Sequence, residues 1–257
     1  MPGIQTHPLI ALLAAACSCL ASGVVAAAAP PAVENSYRVE MILFAFNDPD
    51  NFNQEMWPQN PPPPVATNAL DLFNGQQAPG FKVLPPSEYA LTGAARRLQA
   101  SGRYTVLAHV AWEQPGLSID QAVPIEIDAG RDYAPLYPAL MAPRYVNQNG
   151  QTVEIPAPQH LYRLSGTVKV VLSRYLHVYT DLVLNVPTQN LPGPNNQNQL
   201  IEDTAVIDNP QAQPAPGGTL TEVHIVEHRR TRSRKLNYMD NPMLGILFEI
   251  WPVGDSR

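Results

Sequence analysis

The sequence has few of the residues that mark a disulfide scaffold, because it contains only two cysteines, Cys17 and Cys19. Both lie in an N-terminal segment whose first charged residue is Glu34. If this segment is removed, no cysteine remains, and the rest of the chain must be stabilised by its hydrophobic core without disulfide bonds. With 257 residues, of which 45% are hydrophobic, the chain is large enough to form such a core.

Charge is also scarce, since only 15% of the residues are charged and the net charge is −6 at pH 7. An acidic chain lacks the basic surface that general nucleic-acid binding requires, so we expect no nucleic-acid partner. The motifs GxSxG, HExxH, CxxC and the phosphate-binding P-loop are absent. We therefore predict a protein that is not an enzyme and has no cofactor. A pair of catalytic carboxylates stays open, because its members would meet only in the fold.

Residues 1–29 are predicted to be a signal peptide. The apolar stretch Leu9–Ala29 ends in small residues before Pro30, as signal-peptidase sites do. Lipidation at Cys17 or Cys19 is one alternative. An uncleaved anchor is another, because the stretch is nearly long enough to span a bilayer. Residues 30–257 are predicted to form one domain, which is exported and not integral to the membrane after cleavage.

The clearest local pattern is a helix followed at once by a strand. Ser87 follows two prolines and is expected to cap a helix over 87–101, which Gly102 ends. Residues 103–113 then alternate as a strand does. His109 in this strand is expected to be hydrogen-bonded and partly buried. The helix has one apolar stripe, which is formed by Leu91, Ala94, Ala95 and Leu98.

Further strands follow from alternation and from apolar runs. Apolar residues on both faces of Tyr37–Phe46 predict a central strand. The long alternating run Tyr162–Asn185 must bend, which we expect around Ser173–His177. The other predicted strands are Val123–Asp128, Thr219–Met239 and Met243–Val253, of which the last two are expected to form an antiparallel hairpin.

These elements predict an α+β fold with one main helix packed on a mixed or antiparallel sheet of five or six strands. The 28 prolines cluster in predicted loops, many of them rich in asparagine and glutamine. We expect the irregular insertions at 47–86, 114–160 and 187–218.

Three strings in this chain resemble the CsiV family of exported bacterial proteins. They are ALTGAARRLQASGRY running into VLAHVAWEQPG, SGTVKVVLSRYLHVYTDLVL at 165–184, and EHRRTRSRKLNYMDNPMLGILFEIWPV at 227–253. The resemblance implies a peptidoglycan-binding accessory protein of cell-wall synthesis in the periplasm of the Gram-negative cell envelope. It further implies two partners, peptidoglycan and a cell-wall synthase or its lipoprotein activator.

Candidate binding residues come from charge and from aromatic side chains. Five of the chain's 16 lysines and arginines lie in 229–235 without any acid among them. Such a run either protects a sheet edge from pairing or binds anions, because guanidinium groups hold carboxylates at two points. The tryptophans either stack on sugars or cover the core. The candidates for ligand binding are Arg230, Arg232, Arg234, Arg174, Tyr175, His177, Trp57 and Trp112.

Three other interpretations stay open at this point. His224 and His228 share a face of their strand, but a metal site would need a third ligand, so we predict none. The protein could be an envelope-assembly factor that binds a lipid or an outer-membrane partner. It could also be a wall hydrolase that uses two carboxylates.

Overall fold

The fold is known from a computed structural model, which describes residues 35–54, 57, 68–148, 150–190, 198–200 and 218–254. Parts of the predicted insertions at 47–86 and 187–218, and the whole predicted signal peptide, lie outside these ranges. The α-helix of the described residues is α1 (Thr92–Ala100), and short 3-10 helices are formed by Pro49–Gln54, Pro86–Glu88 and Pro138–Met141. The strands of the described residues are β1 (Ser36–Phe46), β2 (Lys82–Val83), β3 (Tyr104–Pro115), β4 (Ile125–Glu126), β5 (Ala129–Asp132), β6 (Arg144–Gln148), β7 (Gln151–Ile155), β8 (Tyr162–Leu172), β9 (Leu176–Asn190), β10 (Asn198–Leu200), β11 (Gly218–Thr231), β12 (Asn237–Asp240) and β13 (Leu244–Pro252).

The strands form three antiparallel sheets. The first has the order β12-β13-β1-β3-β2. In the second, β9 lies between β8 and β11, while β10 pairs with the far end of β9 and both β4 and β5 pair with β8. The third is the hairpin β6-β7. The predicted α+β class is correct in outline, but strands dominate, and the prediction of one sheet with five or six strands is wrong.

Strand β1 is the centre of the first sheet, as its two-sided apolar pattern predicts. It pairs with β13 on one side and with β3 on the other, and both pairings are antiparallel. Val39, Met41 and Leu43 belong to the main core, together with Val178 and Ile225 of the second sheet. The first two sheets therefore bury apolar side chains in a common core.

Helix α1 covers the opposite side of the first sheet. Its predicted stripe packs there against Ile42 and Phe44 of β1. The helix is shorter than predicted, because residues 86–88 form a separate 3-10 turn and Ser87 does not cap the helix. Gly102 follows the helix with a φ of +67°, which agrees with its predicted role as a stop.

The alternating run that was expected to bend does so between β8 and β9, at residues 173–175. The predicted strand Thr219–Met239 is wrong as one element, because it divides into β11 and β12. β11 pairs with β9 in the second sheet, whereas β12 pairs with β13 in the first. The turn between them includes Arg234, whose backbone φ of +59° is rarely adopted by residues other than glycine.

Candidate functional site

Four of the predicted binding residues lie together on the outward side of the second sheet. Arg174 and Tyr175 occupy the turn between β8 and β9, and His177 is the first outward residue of β9. Arg230 of β11 is the cross-strand partner of His177. The alternation of β9 explains their orientation, because Leu176 and Val178 point into the core and leave residue 177 on the opposite side.

An aromatic and imidazole cluster forms the centre of this side. The rings of His228 and Tyr179 stack face to face, with centroids 4.3 Å apart and planes 9° apart. His228 also meets His177, whose Nδ1 lies 2.9 Å from Nε2 of His228. The planes of these two imidazoles differ by only 13°. Three adjacent rings are therefore nearly parallel.

Three cationic side chains surround the cluster. The Arg230 guanidinium lies 4.9 Å from the centre of the Tyr175 ring, and that of Arg174 lies 5.7 Å from the same ring. Lys169 Nζ of β8 lies 5.6 Å from the centre of the Tyr179 ring. Such cation–π contacts hold flexible cations against rigid rings. We call this surface the basic aromatic face, and its residues are Lys169, Arg174, Tyr175, His177, Tyr179, His228 and Arg230.

The lysine and the arginines of the basic aromatic face are charged at neutral pH, whereas His177 adds little charge. Partial burial lowers the pKa of His177, and the neighbouring His228 and Arg230 lower it further. A histidine whose pKa is lowered in this way is mostly neutral at pH 7. The face can therefore offer fixed cations for an anionic group next to flat rings for an apolar or sugar surface.

Three members of the face were not predicted from the sequence: Lys169, Tyr179 and His228. Tyr179 carries a signal that could have identified it, since it lies two residues after His177 and must share its side of β9. Lys169 and His228 are brought to the face by the pairing of β8 and β11 with β9. That pairing involves residues far apart in the chain.

The other two predicted arginines, Arg232 and Arg234, lie beyond the end of β11, so strand alternation does not place them on the face. Arg232 and Arg234 follow the end of β11 and lie in the turn that leads to β12. The alternation that would point them in the direction of Arg230 ends at Thr231. Within the described residues β11 pairs with β9 alone, so the edge-protection interpretation of this basic run also fits the structure.

The two predicted tryptophans pack with the core. Trp112 is 0% exposed, and its Nε1 donates a hydrogen bond to Oε1 of Gln114 at 2.8 Å. The prediction that Trp112 binds a ligand is therefore wrong. Trp112 is a core residue, because its ring has no exposed surface for a ligand to contact. Trp57 is partly buried, packs beside Phe52 and donates from Nε1 to the Phe52 carbonyl at 2.8 Å.

The two histidines of β11 do not act together. His228 contacts His177, whereas Nε2 of His224 lies 3.8 Å from Oε2 of Glu222. Glu222 in turn accepts a hydrogen bond from Arg144 of β6 at 3.0 Å. Within the described part of the chain, no three histidine, cysteine, aspartate or glutamate residues are arranged to hold a metal ion.

A separate cleft of about 620 Å³ is rich in carboxyl groups. Burial raises the pKa of Asp128 to about 6, and repulsion from Glu126 and Asp71 adds to this. Burial, followed by repulsion from Asp71, also raises the pKa of Glu126. The cleft thus brings together three carboxyl groups, one of which gains its charge close to neutral pH. Its lining residues are Asp71, Asn74, Glu126, Asp128, Gln159, His160, Tyr162 and Ser165.

A third polar cluster anchors the approach to α1. Glu40 of β1 is 0% exposed and accepts hydrogen bonds from the amides of Ala90 and Leu91, both at 2.7 Å. His109 Nε2 lies 2.9 Å from the same carboxylate, and the His109 ring contacts that of Tyr89. Burial alone would raise the pKa of Glu40, but the hydrogen bonds from His109, Leu91 and Ala90 outweigh it and lower the pKa. His109 is thus hydrogen-bonded and partly buried, as predicted, and the cluster has a structural role.

A family model described as "Peptidoglycan-binding protein, CsiV" matches residues 9–253. No curated protein and no solved structure matches the chain. In the ranges that the structure describes, no helix is long and apolar enough to cross a bilayer.

Proposed function

Since the chain belongs to the CsiV family of peptidoglycan-binding proteins, we propose that it binds peptidoglycan through the basic aromatic face. It acts as a non-enzymatic accessory protein of cell-wall synthesis in the periplasm. Residues 1–29 serve as the signal peptide that exports it. A cell-wall synthase or its lipoprotein activator is the protein partner, so the molecule links the wall to the enzyme that extends it.

The observation that carries this proposal is the stack of His228 on Tyr179, with Lys169 against the Tyr179 ring and Arg230 against the neighbouring Tyr175 ring. Aromatic rings bind sugars because the apolar face of a pyranose covers the flat ring. Guanidinium groups such as that of Arg230 hold carboxylates, which the stem peptides of peptidoglycan carry. The face therefore combines the two chemistries that a glycan with acidic peptides requires.

Sedimentation with isolated sacculi tests the proposal. The purified mature chain is expected to pellet with the sacculi, and the double variant Tyr179→Ala, Arg230→Ala is expected to bind at least tenfold more weakly. A matched control is Tyr145→Ala, Arg103→Ala. Tyr145 is 67% exposed on the β6-β7 hairpin, and Arg103 lies over the Tyr104 ring at 5.8 Å, a contact like that of Arg230 but outside the face.

Equal binding by the double variant and the wild-type chain would exclude the face as the binding surface. Anionic lipid vesicles provide a second arm. Binding to vesicles without binding to sacculi would favour the alternative function, an envelope-assembly factor that recognises a lipid.

The carboxyl-rich cleft favours a second candidate function, a wall hydrolase. Glycoside hydrolysis needs one carboxyl group that is protonated and a second that is ionised. Asp128, with its pKa raised to about 6, fits the first role, and Asp71 and Glu126 are the other carboxyl groups of the cleft. Incubation of sacculi with the protein at pH 6 tests this function. Release of soluble muropeptides that Asp128→Asn abolishes would establish it, and intact sacculi would exclude it.

A further inference from the structure

The two imidazoles of the basic aromatic face share one hydrogen bond. Nδ1 of His177 and Nε2 of His228 are 2.9 Å apart, and the ring centroids are 5.2 Å apart in nearly parallel planes. This geometry places the rings edge to edge with a single proton between the two nitrogens. One nitrogen donates and the other accepts, since two N–H groups cannot face each other at this distance.

The number of protons on this pair decides how many donors it offers to a ligand. Two neutral imidazoles carry two N–H groups, and one of them is used in the shared hydrogen bond. One nitrogen outside that bond is then a donor and the other is an acceptor. A single added proton keeps the shared bond and makes both outer nitrogens, Nε2 of His177 and Nδ1 of His228, donors. A second added proton would break the pair.

When no ligand is bound, the charged groups around the histidine pair disfavour the uptake of this added proton. Arg230 of β11 and Lys169 of β8 are both cationic, and Arg174 adds a third positive charge at the turn. Asp181 is the nearest acidic residue on the outward side of β9, one outward position beyond Tyr179. Cations next to an imidazole disfavour its charged form, and an anion bound among them reverses the effect.

We propose that His177, His228 and Arg230 form a carboxylate-binding site in which the histidine pair takes up one proton when the ligand binds. The inference rests on the proposed function, and it specifies that the carboxylate of a stem peptide occupies the site. Arg230 supplies a two-point donor, and the protonated pair supplies one positive charge and one further N–H group. Only one of the two outer nitrogens can face the carboxylate, because they lie at opposite ends of the hydrogen-bonded pair. The Tyr179 ring, stacked on His228, lies beside the carboxylate and contacts the rest of the ligand.

The charge of the surroundings favours a single carboxylate over a polyanion. The face has three fixed cations, and Asp181 lies on the same side of the sheet. The chain as a whole has a net charge of −6. A long polyphosphate or a dense anionic surface would be repelled beyond the face, whereas one carboxylate meets only the local cations.

Calorimetry with a soluble probe tests the inference. The probe is a disaccharide tetrapeptide muropeptide with free carboxylates, which is titrated into the mature chain at pH 6.5 in two buffers of different ionisation enthalpy. The difference in heat is expected to show uptake of up to one proton for each bound muropeptide. Affinity is expected to rise as the pH falls from 8 to 6, with a slope that approaches tenfold per pH unit.

Three controls accompany the titration. The double variant His177→Gln, His228→Gln is expected to bind without proton uptake, and a thermal melt checks that it folds. His224→Gln is the matched control, because His224 also lies on β11 but is paired with Glu222 and not with the histidine pair. Its proton uptake is expected to equal that of the wild-type chain. A muropeptide with amidated carboxylates is expected to bind weakly and independently of pH.

The outcomes separate this inference from the proposed function. Binding of sacculi and muropeptide without proton uptake would overturn the inference and leave the proposed function intact. Proton uptake that persists in the double histidine variant would also overturn it. No binding to sacculi or muropeptide at any pH would overturn both. Proton-linked binding to vesicles of phosphatidylglycerol, without binding to the muropeptide, would replace the carboxylate by a lipid phosphate.

Discussion

Replacement of Glu40 tests whether the buried carboxylate fixes α1 to the first sheet. Glu40→Gln keeps the shape of the side chain but replaces one carboxylate oxygen by an NH2 group. That group would face one of the donors that Glu40 now accepts, the amides of Ala90 and Leu91 or Nε2 of His109. Glu40→Ala removes all three hydrogen bonds and leaves the donors without an acceptor.

The magnitude follows from the burial of the group. Glu40 is 0% exposed, so water cannot replace the lost contacts. A hydrogen bond to a charged group contributes about 1.5–3 kcal/mol, and loss of one partner of a buried pair costs about 3–5 kcal/mol. We expect Glu40→Ala to lower the free energy of unfolding by about 3–5 kcal/mol. For Glu40→Gln we expect a decrease of about 2–3 kcal/mol in the free energy of unfolding, because one hydrogen bond is lost and the new NH2 group faces a donor.

Urea unfolding followed by circular dichroism measures these values. Glu88→Gln is the matched control, because Glu88 lies in the 3-10 turn just before Tyr89, is 45% exposed and pairs with Arg38 at 3.7 Å. Its loss is expected to cost less than about 1 kcal/mol. A loss of less than 1 kcal/mol for Glu40→Ala would refute the reasoning, since the carboxylate would then be dispensable.

The pH dependence provides a second check on Glu40. The hydrogen bonds lower its pKa in the folded state below that of the unfolded chain. Its stabilising contribution is therefore present above the unfolded pKa and is lost as the pH falls through the folded pKa. The gap in stability between the wild-type chain and Glu40→Gln should narrow in acid. A gap that stays constant down to pH 2 would contradict this assignment.

Three further substitutions test the backbone and the carboxyl-rich cleft. Gly166 in β8 has a φ of +130°, and an added Cβ would lie 2.3 Å from the Asp181 carbonyl oxygen. Gly166→Ala should therefore lower the free energy of unfolding, measured in urea, by at least about 3 kcal/mol. Gly93→Ala in α1, where an added Cβ meets no atom within 4 Å, should instead stabilise by about 0.5–1 kcal/mol, and equal effects of the two changes would refute the steric argument. Burial and repulsion raise the pKa of Asp128 to about 6, so its ionisation opposes folding as the pH rises from about 4 to above 6. Asp128→Asn should therefore melt at a higher temperature than the wild-type chain at pH 7.5, with the difference closing below pH 4, and a lower melting temperature at pH 7.5 would show that the charged form is stabilised instead.

The sequence predicts the elements whose pattern is local. The two-sided apolar strand at Tyr37–Phe46 and the apolar stripe of α1 agree with the structure, and so does the stop at Gly102. The three-sheet arrangement could not be predicted, because β11 pairs with β9 across the long proline-rich segment that separates them in the sequence. The β6-β7 hairpin was missed for another reason, since 144–155 is mainly polar and its few apolar residues, such as Val146, Val153 and Ile155, are too scattered to show a strand-like alternation.

The residues of the candidate site likewise fall into those that a local sequence pattern predicts and those that only the fold brings together. Arg174, Tyr175 and His177 are adjacent in the chain, so one motif identified them together. His228 joins them only through the register between β9 and β11, which no local pattern encodes. Trp112 was misjudged because a tryptophan near the end of a strand has the same sequence pattern whether it is buried or exposed. Trp112 is buried in the main core, where the ring of Phe73 from a distant loop packs edge-on against it.

The pairing of β9 with β11 has a mechanical consequence for the proposed attachment to the wall. The two strands are paired over all 14 residues of β11, and the basic aromatic face lies at the end where β11 leaves the sheet. A pull on Arg230 directed along the strand would load many hydrogen bonds of this ladder at once, in shear. A pull across the strand would open them one at a time from the Thr231 end. The fold is therefore expected to resist tension far better along β11 than across it.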